Sequence, residues 1–574
     1  MKTLDKIKTQ AQGHNGVITF EIDMNDNKLE DLKVINHSET PGIFNQVFDK
    51  LKANVLKQQS FNVDTISGAT VMTKAILDSA QKKIDSKGIK LDTNNLKETT
   101  HKTFDLTADV AVIGGGEAGL VAACRALSLG KKVILVEKNG YLGGATILNG
   151  SNVVATGSRL SKSIFGAKAK EDSSKKLFDD VTRESHGTNY PELSYLMVKN
   201  IGAAIDFISQ FAGLQYQRAQ TQTPEHSLER QIELPSASSY EFIKKVAKAF
   251  EEKGGQIILN NRVEDLIKDG HGNLTGFIAE SLHATTRVHA KSIVLASGGF
   301  GANEKMRSGQ SKQIDYYGPM TSTGDSYQFM QSMNLKSHDL DWYKVYPHGL
   351  EVEPGIAKLT TYASKKATDL GAIYVNKLGK RIVNESDVYV KFRDAILKQP
   401  DKIAFLVMDA RTWHEFYNLL ILHDFTVAEI QNYFDNNGIK SPILVKGSLE
   451  DAAEKAGINS TELAKTIDHY SKYVKTKKDL EFGRAPQFMH EFEGEMYYII
   501  EQRDRFATTL GGYSARPSDM ALEDSNEQIV AHLFGAGEVV GGANGHDSMP
   551  SMMNTWAISS GYVAGTAASQ SSQK

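Results

Sequence analysis

The chain contains a single cysteine, Cys124, among its 574 residues. One thiol excludes an intramolecular disulfide and a cysteine-based metal cluster. The sequence has no apolar run of about 18 residues, the length that a membrane-spanning helix needs. Its first residues, Met1 to Lys8, lack the apolar core of a secretory signal. The 66 basic and 69 acidic residues nearly cancel, which gives no support to a nucleic-acid partner. We therefore expect a cytoplasmic protein that binds neither membrane nor nucleic acid.

The length and the local patterns indicate several domains of mixed structure. A chain of 574 residues is too long to fold around a single hydrophobic core. Its content of 40% apolar and 24% charged residues is typical of soluble globular proteins. Alternation over residues 14–90 predicts a small α+β unit, followed by a polar linker near 92–100. The predicted elements of this unit are a strand over 16–22 and helices over 43–56 and 75–84. Further along, we predict a meander of strands over 256–259, 262–267 and 274–280. Residues 448–477 read as one helix, with Ser448 and Asp451 spaced as a capping box.

A glycine-rich turn follows an apolar strand near residue 110 and opens a helix. Gly114, Gly116 and Gly119 have the spacing G-x-G-x-x-G, which lets the backbone approach a pyrophosphate at the helix N-terminus. Glu137 ends the next strand, where a carboxylate can bind a ribose hydroxyl. The strand, turn, helix, second strand and acid together predict a dinucleotide cofactor.

Later glycines favour FAD over NAD as that cofactor. Gly143 and Gly144 follow the acidic residue, where FAD proteins often carry a glycine pair. The segments 295–299 and 533–539 match later FAD motifs of this superfamily. The residues predicted to bind FAD are Gly114, Gly116, Glu117, Ala118, Gly119, Glu137, Lys138, Gly143, Gly144, Ala145, Val263, Ser297, Gly298, Gly299, Asp325 and Glu538. No zinc-binding H-E-x-x-H motif is present, and we expect no metal site.

A second flavin motif lies in the N-terminal unit. Asp64-Thr65-Ile66-Ser67-Gly68-Ala69-Thr70 resembles the D-x-x-S-G-A-T sequence at which a flavin transferase esterifies FMN onto the final threonine. The resemblance implies covalent FMN at Thr70, a role for Ser67 in the same site, and a flavin transferase as maturation partner. A plain Ser/Gly turn is the alternative. Two flavins on one chain imply that electrons enter at one and leave at the other.

Residues 105–565 resemble the flavoprotein family of soluble fumarate reductase, urocanate reductase and 3-oxosteroid Δ1-dehydrogenase. The segment from Gly371 to Glu385 is especially close. The N-terminal unit is similar to the FMN-binding domain often fused to these enzymes. The resemblance implies a multidomain fold of α/β and α+β type. Its parts are an α+β FMN-binding domain (1–90), a linker (91–104), a Rossmann-like FAD-binding domain (105–340 and 511–574) and an inserted α+β capping domain (341–510).

Departures from the family concern the substrate. The resemblance places Tyr389 where fumarate reductases have a proton-donating arginine, and Tyr346 where a histidine precedes a proline. Ala507 or Thr508 replaces a second histidine, and Ser548 lies close to the position of the arginine that clamps the substrate. Because three groups that grip a dicarboxylate are missing, we expect fumarate to be a poor substrate.

With tyrosine at position 389, this chain resembles the steroid dehydrogenases, in which a tyrosine acts as acid or base at the flavin. A phenol can deliver a proton to the α-carbon after hydride reaches the β-carbon of an activated alkene. Arg393 would share a helical face with Tyr389 and could orient the phenol or bind a carboxylate. Tyr346 is the competing donor, and a packing role for Tyr389 is the alternative. Lys344, His348, Arg503 and Arg505 are among other polar residues that could line the site.

We therefore expect an FAD- and FMN-dependent oxidoreductase acting on CH–CH groups. The favoured reaction is reduction of the C=C bond of an α,β-unsaturated monocarboxylic acid, first of all a hydroxycinnamate. Hydride would come from FAD N5 and the proton from a tyrosine, while FMN relays electrons. NADH would supply them directly or through a separate flavin reductase. Alternatives are reduction of urocanate or fumarate, 3-oxosteroid dehydrogenation, and an electron-transfer flavoprotein subunit that reduces no small molecule.

Overall fold

The structure is a computed structural model that describes residues 5–14, 16–93, 101–422 and 425–573. Its elements form the expected multidomain arrangement of α/β and α+β type, which confirms the predicted fold class. Among the described residues, none of the helices has the length and apolarity needed to cross a bilayer.

The N-terminal domain is a three-stranded antiparallel meander covered by two helices. Its elements are β1 (Asp5–Gln12), β2 (Val17–Asn25), β3 (Lys28–Asn36), α1 (Pro41–Gln58) and α2 (Thr70–Ser86). Alternate residues of β2, such as Phe20 and Ile22, are fully buried against the helices, as a half-buried strand requires. Both helices extend beyond the predicted ranges, and α2 begins at Thr70 itself, with Ala69 at its N-cap.

The predicted linker over 91–104 is only partly described, because residues 94–100 lie outside the described ranges. Its last residues are not linker but strand: the next strand begins at Lys102 and pairs with Ala284. Polar side chains suggested a loop there, yet the backbone of a neighbouring strand supplies hydrogen-bond partners.

Residues 102–338 build most of the second domain. The strands are β4 (Lys102–Ile113), β5 (Val133–Val136), β6 (Val153–Val154), β7 (Gln217–Arg218), β8 (Gln231–Glu233), β9 (Gln256–Ile258), β10 (Arg262–Lys268), β11 (Leu274–Ser281), β12 (Ala284–Leu295), β13 (Asp315–Tyr316) and β14 (Ser337–His338). The helices are α3 (Glu117–Ser128), α4 (Arg159–Phe165), α5 (Ser174–Glu184), α6 (Pro191–Ala212), α7 (Ser239–Glu252) and α8 (Ser326–Phe329).

The strand β9 does not belong to the predicted meander. It pairs in parallel with β5 at one edge of the main sheet, whereas β10, β11 and β12 form the antiparallel meander. The prediction failed because β9 and β10 are adjacent in sequence but join different partners. The sheet runs in the order β10-β11-β12-β4-β5-β9. Parallel pairing of β12, β4 and β5 brings their carboxyl ends to one edge, where α/β proteins bind ligands.

Residues 343–509 form most of a second mixed sheet, which β13 also joins, and correspond to the segment predicted as the capping domain. Its strands are β15 (Tyr343–Glu353), β16 (Ile356–Leu359), β17 (Ile373–Val375), β18 (Ile403–Asp409), β19 (Leu444–Gly447) and β20 (Tyr497–Thr509). Its helices are α9 (Thr361–Asp369), α10 (Tyr389–Leu397), α11 (Ala410–Leu422), α12 (Val427–Asp435), α13 (Leu449–Lys455) and α14 (Ser460–Thr476). The long strand β20 pairs with β15 on one side and with β18 and β19 on the other.

The single helix predicted over 448–477 is wrong, because Gly457 divides it into α13 and α14. Gly457 takes φ +70, a left-handed conformation that ends α13, and Asn459 caps α14. Ser448 does cap α13 by accepting from the Asp451 N–H, but no return bond from the Asp451 side chain completes a capping box.

The chain then returns to the second domain. The final elements are β21 (Gly512–Tyr513), β22 (Ala521–Glu523), β23 (Ile529–Gly535) and α15 (Met552–Ser571). Strand β23 joins the main sheet beside β12. Helix α15 packs on α3 through glycine: a Cβ added at Gly561 would lie 2.5 Å from the Ala118 carbonyl oxygen.

We predict that Gly561→Ala destabilises the protein even though alanine is the better helix former by about 1 kcal/mol. The added methyl has to push α15 away from α3, and overpacking of this kind costs about 1–3 kcal/mol. Thermal unfolding should show a lower Tm and reduced FAD content. Gly270→Ala is the matched control, because nothing lies within 4 Å of its added Cβ. Equal Tm values for both variants would contradict the close contact.

Candidate active site

The turn between β4 and α3 has the geometry that the glycine motif requires. Gly114 takes φ +111, a conformation open to glycine and strained for other residues. A Cβ at Gly114 would also meet the Ala296 carbonyl oxygen at 2.2 Å, and one at Gly119 would meet the Gly114 oxygen at 2.0 Å. The first residues of α3 line an open space beside the sheet edge, where the N–H groups of a helix N-terminus lack partners within the helix.

Glu137 holds this turn in place. One carboxylate oxygen accepts from the Gly115 N–H at 2.8 Å and the other from the Asn139 N–H at 2.9 Å. Burial raises the pKa of Glu137, while these two backbone bonds oppose the shift. Contact of Glu137 with a ribose hydroxyl remains a prediction.

A cavity opens at the turn and contains most of the residues predicted to bind FAD. Those that line it are Gly114, Gly116, Glu117, Ala118, Glu137, Lys138, Gly144, Ala145, Val263, Ser297, Gly298, Asp325 and Glu538. Gly119, Gly143 and Gly299 are not in the wall and instead allow close backbone or side-chain approach nearby.

Several other residues that line this cavity belong to none of the motifs recognised in the sequence. They include Thr146, Asn149, Asn261 and Asn554, while Thr508, one of the two residues placed at the second histidine, also lines the cavity. These residues come from distant segments that only the folded chain brings together. Asn554 had one usable signal, since it lies in the first turn of α15 close behind the glycine segment 541–545.

The cavity fits a dinucleotide flavin. Ser297 Oγ and Glu117 Oε2 are buried in its wall without a hydrogen-bond partner, and polar atoms of this kind call for a bound polar group. The helix N-terminus behind Gly116 suits the pyrophosphate.

Ionic groups close one side of the same cavity. Lys138 Nζ lies 2.9 Å from Asp325, and Arg262 Nε lies 3.1 Å from it. Burial alone would raise the pKa of Asp325, but the hydrogen bond from Arg262 and the charge of Lys138 lower it to about 2. On another wall, burial raises the pKa of Glu538 to about 7, although Thr509 donates to it from N at 2.7 Å.

A second cavity of about 440 Å³ lies between the N-terminal, FAD and capping domains. Thr70 lines it and is exposed at the start of α2, so its hydroxyl is accessible for esterification. Other lining groups come from all three domains, among them Ile43, Tyr317 and Phe425. Asn149 lines this cavity and the FAD cavity alike.

The loop of the FMN motif is also the contact between domains. Ser67 Oγ donates to the Lys138 carbonyl at 3.1 Å, and the Ser67 carbonyl accepts from the Gly140 N–H at 2.9 Å. Gln46 of α1 adds a two-way bond to the Leu142 backbone, at 3.1 Å in each direction. Ser67 therefore has a docking role that the motif did not predict, beside its predicted role at the flavin.

Tyr389 begins α10 and is almost fully buried. Its backbone N–H donates to Glu225 Oε1 at 3.0 Å, but its hydroxyl has no hydrogen-bond partner among the described residues. The ring packs edge-on against His348, with centroids 5.2 Å apart, and against Tyr346 at 6.4 Å. Burial, reinforced by the Glu225 charge, raises the pKa of Tyr389 far above 10, and the phenol is protonated at neutral pH.

Two cations flank Tyr346. Lys344 Nζ lies 4.7 Å and Arg505 Cζ 4.9 Å from its ring centroid. Burial lowers the pKa of Lys344 to about 8, against the opposing influence of Asp547 and Glu225. Burial raises the pKa of Tyr346, so that it too stays protonated.

Arg393 lies on α10 as expected, but its guanidinium binds carboxylates of the protein. It donates to Asp394 at 3.0 Å and forms an ion pair with Asp547. Ser548 is buried and donates to the Met549 carbonyl at 3.3 Å, while Ala507 is nearly buried and apolar.

Two family models match this chain, one over most of its length and one over its N-terminal domain. The family model described as FAD binding domain matches residues 109–552. This chain belongs to that family. The model described as FMN-binding domain matches residues 13–85. The protein is a flavoprotein oxidoreductase with an FAD-binding and an FMN-binding domain, as the sequence predicted.

Similar curated proteins include several reductases. A urocanate reductase of Eggerthella lenta is 26% identical over 97% of this chain and 90% of its own length. An NADH:acrylate oxidoreductase of Vibrio harveyi is also 26% identical over 97% of this chain, which spans only 60% of that protein. A flavocytochrome c3 fumarate reductase of known structure has a TM-score of 0.68, with 23% identity over 91% of this chain and 87% of its own. That structural likeness shows the common fold.

We predict that the chain carries one covalent FMN on Thr70 when it is coexpressed with a flavin transferase. Intact mass spectrometry should show one added FMN-phosphoryl unit, and Thr70→Ala should abolish it. Thr65→Ala is the control, because Thr65 is an exposed threonine of the same loop. An unchanged wild-type mass under these conditions would refute covalent attachment. Without the transferase, the site can remain empty.

Proposed function

We propose that this flavoprotein is an ene-reductase that saturates the C=C bond of an α,β-unsaturated monocarboxylic acid of the hydroxycinnamate type. The observation that carries the proposal is the buried, unpartnered hydroxyl of Tyr389 in a cluster of tyrosines and cations. An electron carrier that reduces no small molecule has no use for such a cluster. The similarity to urocanate, acrylate and fumarate reductases supports the class of reaction.

The residues that would hold FAD are those of the glycine turn and of the cavity described above. Bound FAD would supply a hydride from N5 to the β-carbon of the substrate. The remaining step is the delivery of a proton to the α-carbon, and a side chain of the protein would supply this proton.

Tyr389 suits the role of proton donor. Its hydroxyl carries a proton throughout the neutral range, because burial and the nearby Glu225 raise its pKa. Since that hydroxyl makes no bond within the part of the chain that the structure describes, it can donate to a substrate without first breaking one. His348 beside it is held neutral by burial, which lowers its pKa, and its Nδ1 lies 2.8 Å from the Tyr374 hydroxyl. Tyr346 is the competing donor in the same cluster.

The preference for one carboxylate follows from the charges near the cluster. Lys344 and Arg505 can attract an anion, whereas Ser548 and Ala507 offer no charge to a second carboxylate. An aromatic substrate also finds several tyrosine rings for apolar and edge-on contacts.

The electron route is proposed to run through FMN. The Thr70 cavity and the FAD cavity share Asn149 and Thr321 in their walls, which suits transfer between two bound flavins. NADH is the proposed source of electrons, either directly or through a separate flavin reductase. The NADH:acrylate oxidoreductase among the similar proteins supports this source.

We predict that Tyr389→Phe slows enoate turnover by ~10²-fold or more, the usual size of a general-acid contribution. The variant should keep its Tm, because the lost hydroxyl has no partner in the protein. It should also keep its flavins and allow FAD reduction. The measurement is anaerobic oxidation of reduced viologen together with thermal unfolding.

Tyr346→Phe provides the matched comparison on the neighbouring ring. Normal turnover by Tyr389→Phe combined with an inactive Tyr346→Phe would transfer the role of acid to Tyr346. Normal turnover by both variants would exclude a tyrosine acid.

We predict that cinnamate-type acids exceed fumarate strongly in kcat/KM. A buried carboxylate without a partner costs several kcal/mol, and each ~1.4 kcal/mol of that loss lowers the rate tenfold. A viologen assay should therefore include hydroxycinnamates, urocanate, acrylate and fumarate. A kcat/KM for fumarate comparable to that for cinnamate-type acids would contradict the absence of binding groups for a second carboxylate. Reduction of no enoate at all would favour the electron-transfer subunit.

A further inference from the structure

The protein has several fully buried arginines, and Arg505 differs from the others. Each of the others forms an ion pair with at least one carboxylate at 3.3 Å or less: Arg230 with Asp172 and Asp180, Arg381 with Glu385 and Asp479, and Arg484 with Glu385. Arg505 has no accessible surface, and among the described residues no carboxylate lies within ion-pair distance of it.

Neutral groups satisfy only part of this guanidinium. Nε donates to the His348 carbonyl at 3.2 Å, and Nη2 donates to Thr361 Oγ1 at 2.8 Å. Nη1 is buried and has no partner within residues 5–14, 16–93, 101–422 and 425–573. Both carboxyl oxygens of the adjacent Asp504 are themselves buried without a hydrogen-bond partner among the described residues, and burial raises the pKa of Asp504 well above its ordinary value. A buried charge is costly unless an opposite charge pairs with it, and the folded chain leaves this one unpaired.

Two tyrosine rings cover the guanidinium. Arg505 Cζ lies 4.2 Å from the Tyr317 ring centroid and 4.9 Å from that of Tyr346, which is its partner across the β15–β20 ladder. Tyr317 and Tyr346 are half-buried residues, and Tyr317 also lines the cavity that contains Thr70. We expect an anion to reach Nη1 by displacing one of these two side chains.

The same residues connect Arg505 to the proposed proton donor. Tyr346 contacts the guanidinium on one side and the Tyr389 ring on another, while the His348 that accepts from Nε also packs on Tyr389. An anion on Nη1 would thus lie beside the proposed acid.

We infer that Arg505 binds the carboxylate of the substrate through Nη1, and that the stacked tyrosines shield this ion pair from water. The inference rests on the proposed ene-reductase function and assigns its carboxylate anchor. Arg393 is the arginine that sequence favoured, but Asp394 and Asp547 already occupy it. A desolvated arginine–carboxylate pair discriminates strongly between an acid and its neutral ester.

Lys344 is the competing anchor, because it also lies over Tyr346 and forms no ion pair shorter than 4 Å among the described residues. Its charge is nevertheless supported by Asp547 and Glu225, which act to raise its lowered pKa. Asp504 likewise acts to raise the pKa of Arg505, which burial lowers. Geometry separates the two cations: Arg505 Nη1 is buried without a hydrogen-bond partner among the described residues, and Lys344 Nζ is not an atom of this kind. The unmet partner is therefore assigned to Arg505.

The test compares Arg505→Gln, Arg505→Lys and Lys344→Met with wild type. The probes are the acid that wild type reduces fastest and its methyl ester. For Arg505→Gln we expect kcat/KM for the acid to fall by ~10²-fold or more and that for the ester by less than ~3-fold. Arg505→Lys should recover part of the preference for the acid. Arg503→Gln is the control, since Arg503 is paired with Glu351 at 2.7 Å and with Glu501 at 3.2 Å.

Stability without ligand provides a readout that a structural role would not give. Loss of an unpaired buried charge should leave the Tm of Arg505→Gln equal to or above that of wild type. A structural arginine would instead lower it. A preserved acid-to-ester ratio in Arg505→Gln, or loss of that ratio in Lys344→Met alone, would overturn the assignment.

Direct binding separates this inference from the proposed function. Calorimetry with 3-phenylpropionate and its methyl ester measures the anion site without catalysis. If wild type reduces no enoate yet binds the acid in an Arg505-dependent manner, the reductase proposal fails and the anion site stands. If wild type reduces enoates but Arg505→Gln binds the acid as tightly as wild type, the function stands and the anchor is wrong.

Discussion

The pairing of buried charge is the constraint on which the interior of this protein depends. A charged group removed from water needs an opposite charge or hydrogen bonds, and most buried cations here have both. Arg381 and Arg484 share Glu385, which ties the strand–loop segment before α10 to the loop after α14. Since Tyr389 begins α10, this network also fixes the position of the proposed acid. Arg505 lacks such a pair among the described residues, and we assign its unmet charge to the carboxylate of the substrate.

Local patterns predicted the parts of the fold that depend on local physics. The strand, turn and helix around Gly114 were recoverable because a tight turn requires glycine at fixed spacing. Strand β9 was not, since its pairing with β5 joins residues about 120 positions apart and leaves no mark in the sequence. The division at Gly457 was missed because two amphipathic helices in succession resemble one long pattern. A single glycine can continue a helix or end it, and the choice depends on tertiary packing.

The candidate site was less predictable than the fold. The position of Tyr389 came from family resemblance, whereas its burial and its unpartnered hydroxyl became visible only in the folded chain. Arg393 seemed the natural anion ligand because it follows Tyr389 by one helical turn, yet Asp547 comes from a distant segment and binds it. Arg505 became distinctive only through what surrounds it. The register of β15 and β20 places Arg505 against Tyr346. The sequence near residue 505 does not indicate that this charge lacks a partner.

The FMN motif shows how one loop can serve two requirements. Transfer of electrons between flavins needs short separation, while attachment by a transferase needs an accessible hydroxyl. Ser67 bonds the loop to the backbone of Lys138 and Gly140, beside the turn that Glu137 holds, and these bonds would keep an FMN on this loop close to the FAD cavity. The loop meets the second requirement because Thr70, three residues on, begins α2 and remains exposed. If FMN is carried on Thr70, its tether is anchored to the wall of the FAD cavity itself. The distance between the flavins is then set by backbone hydrogen bonds within one chain, not by a chance encounter of domains.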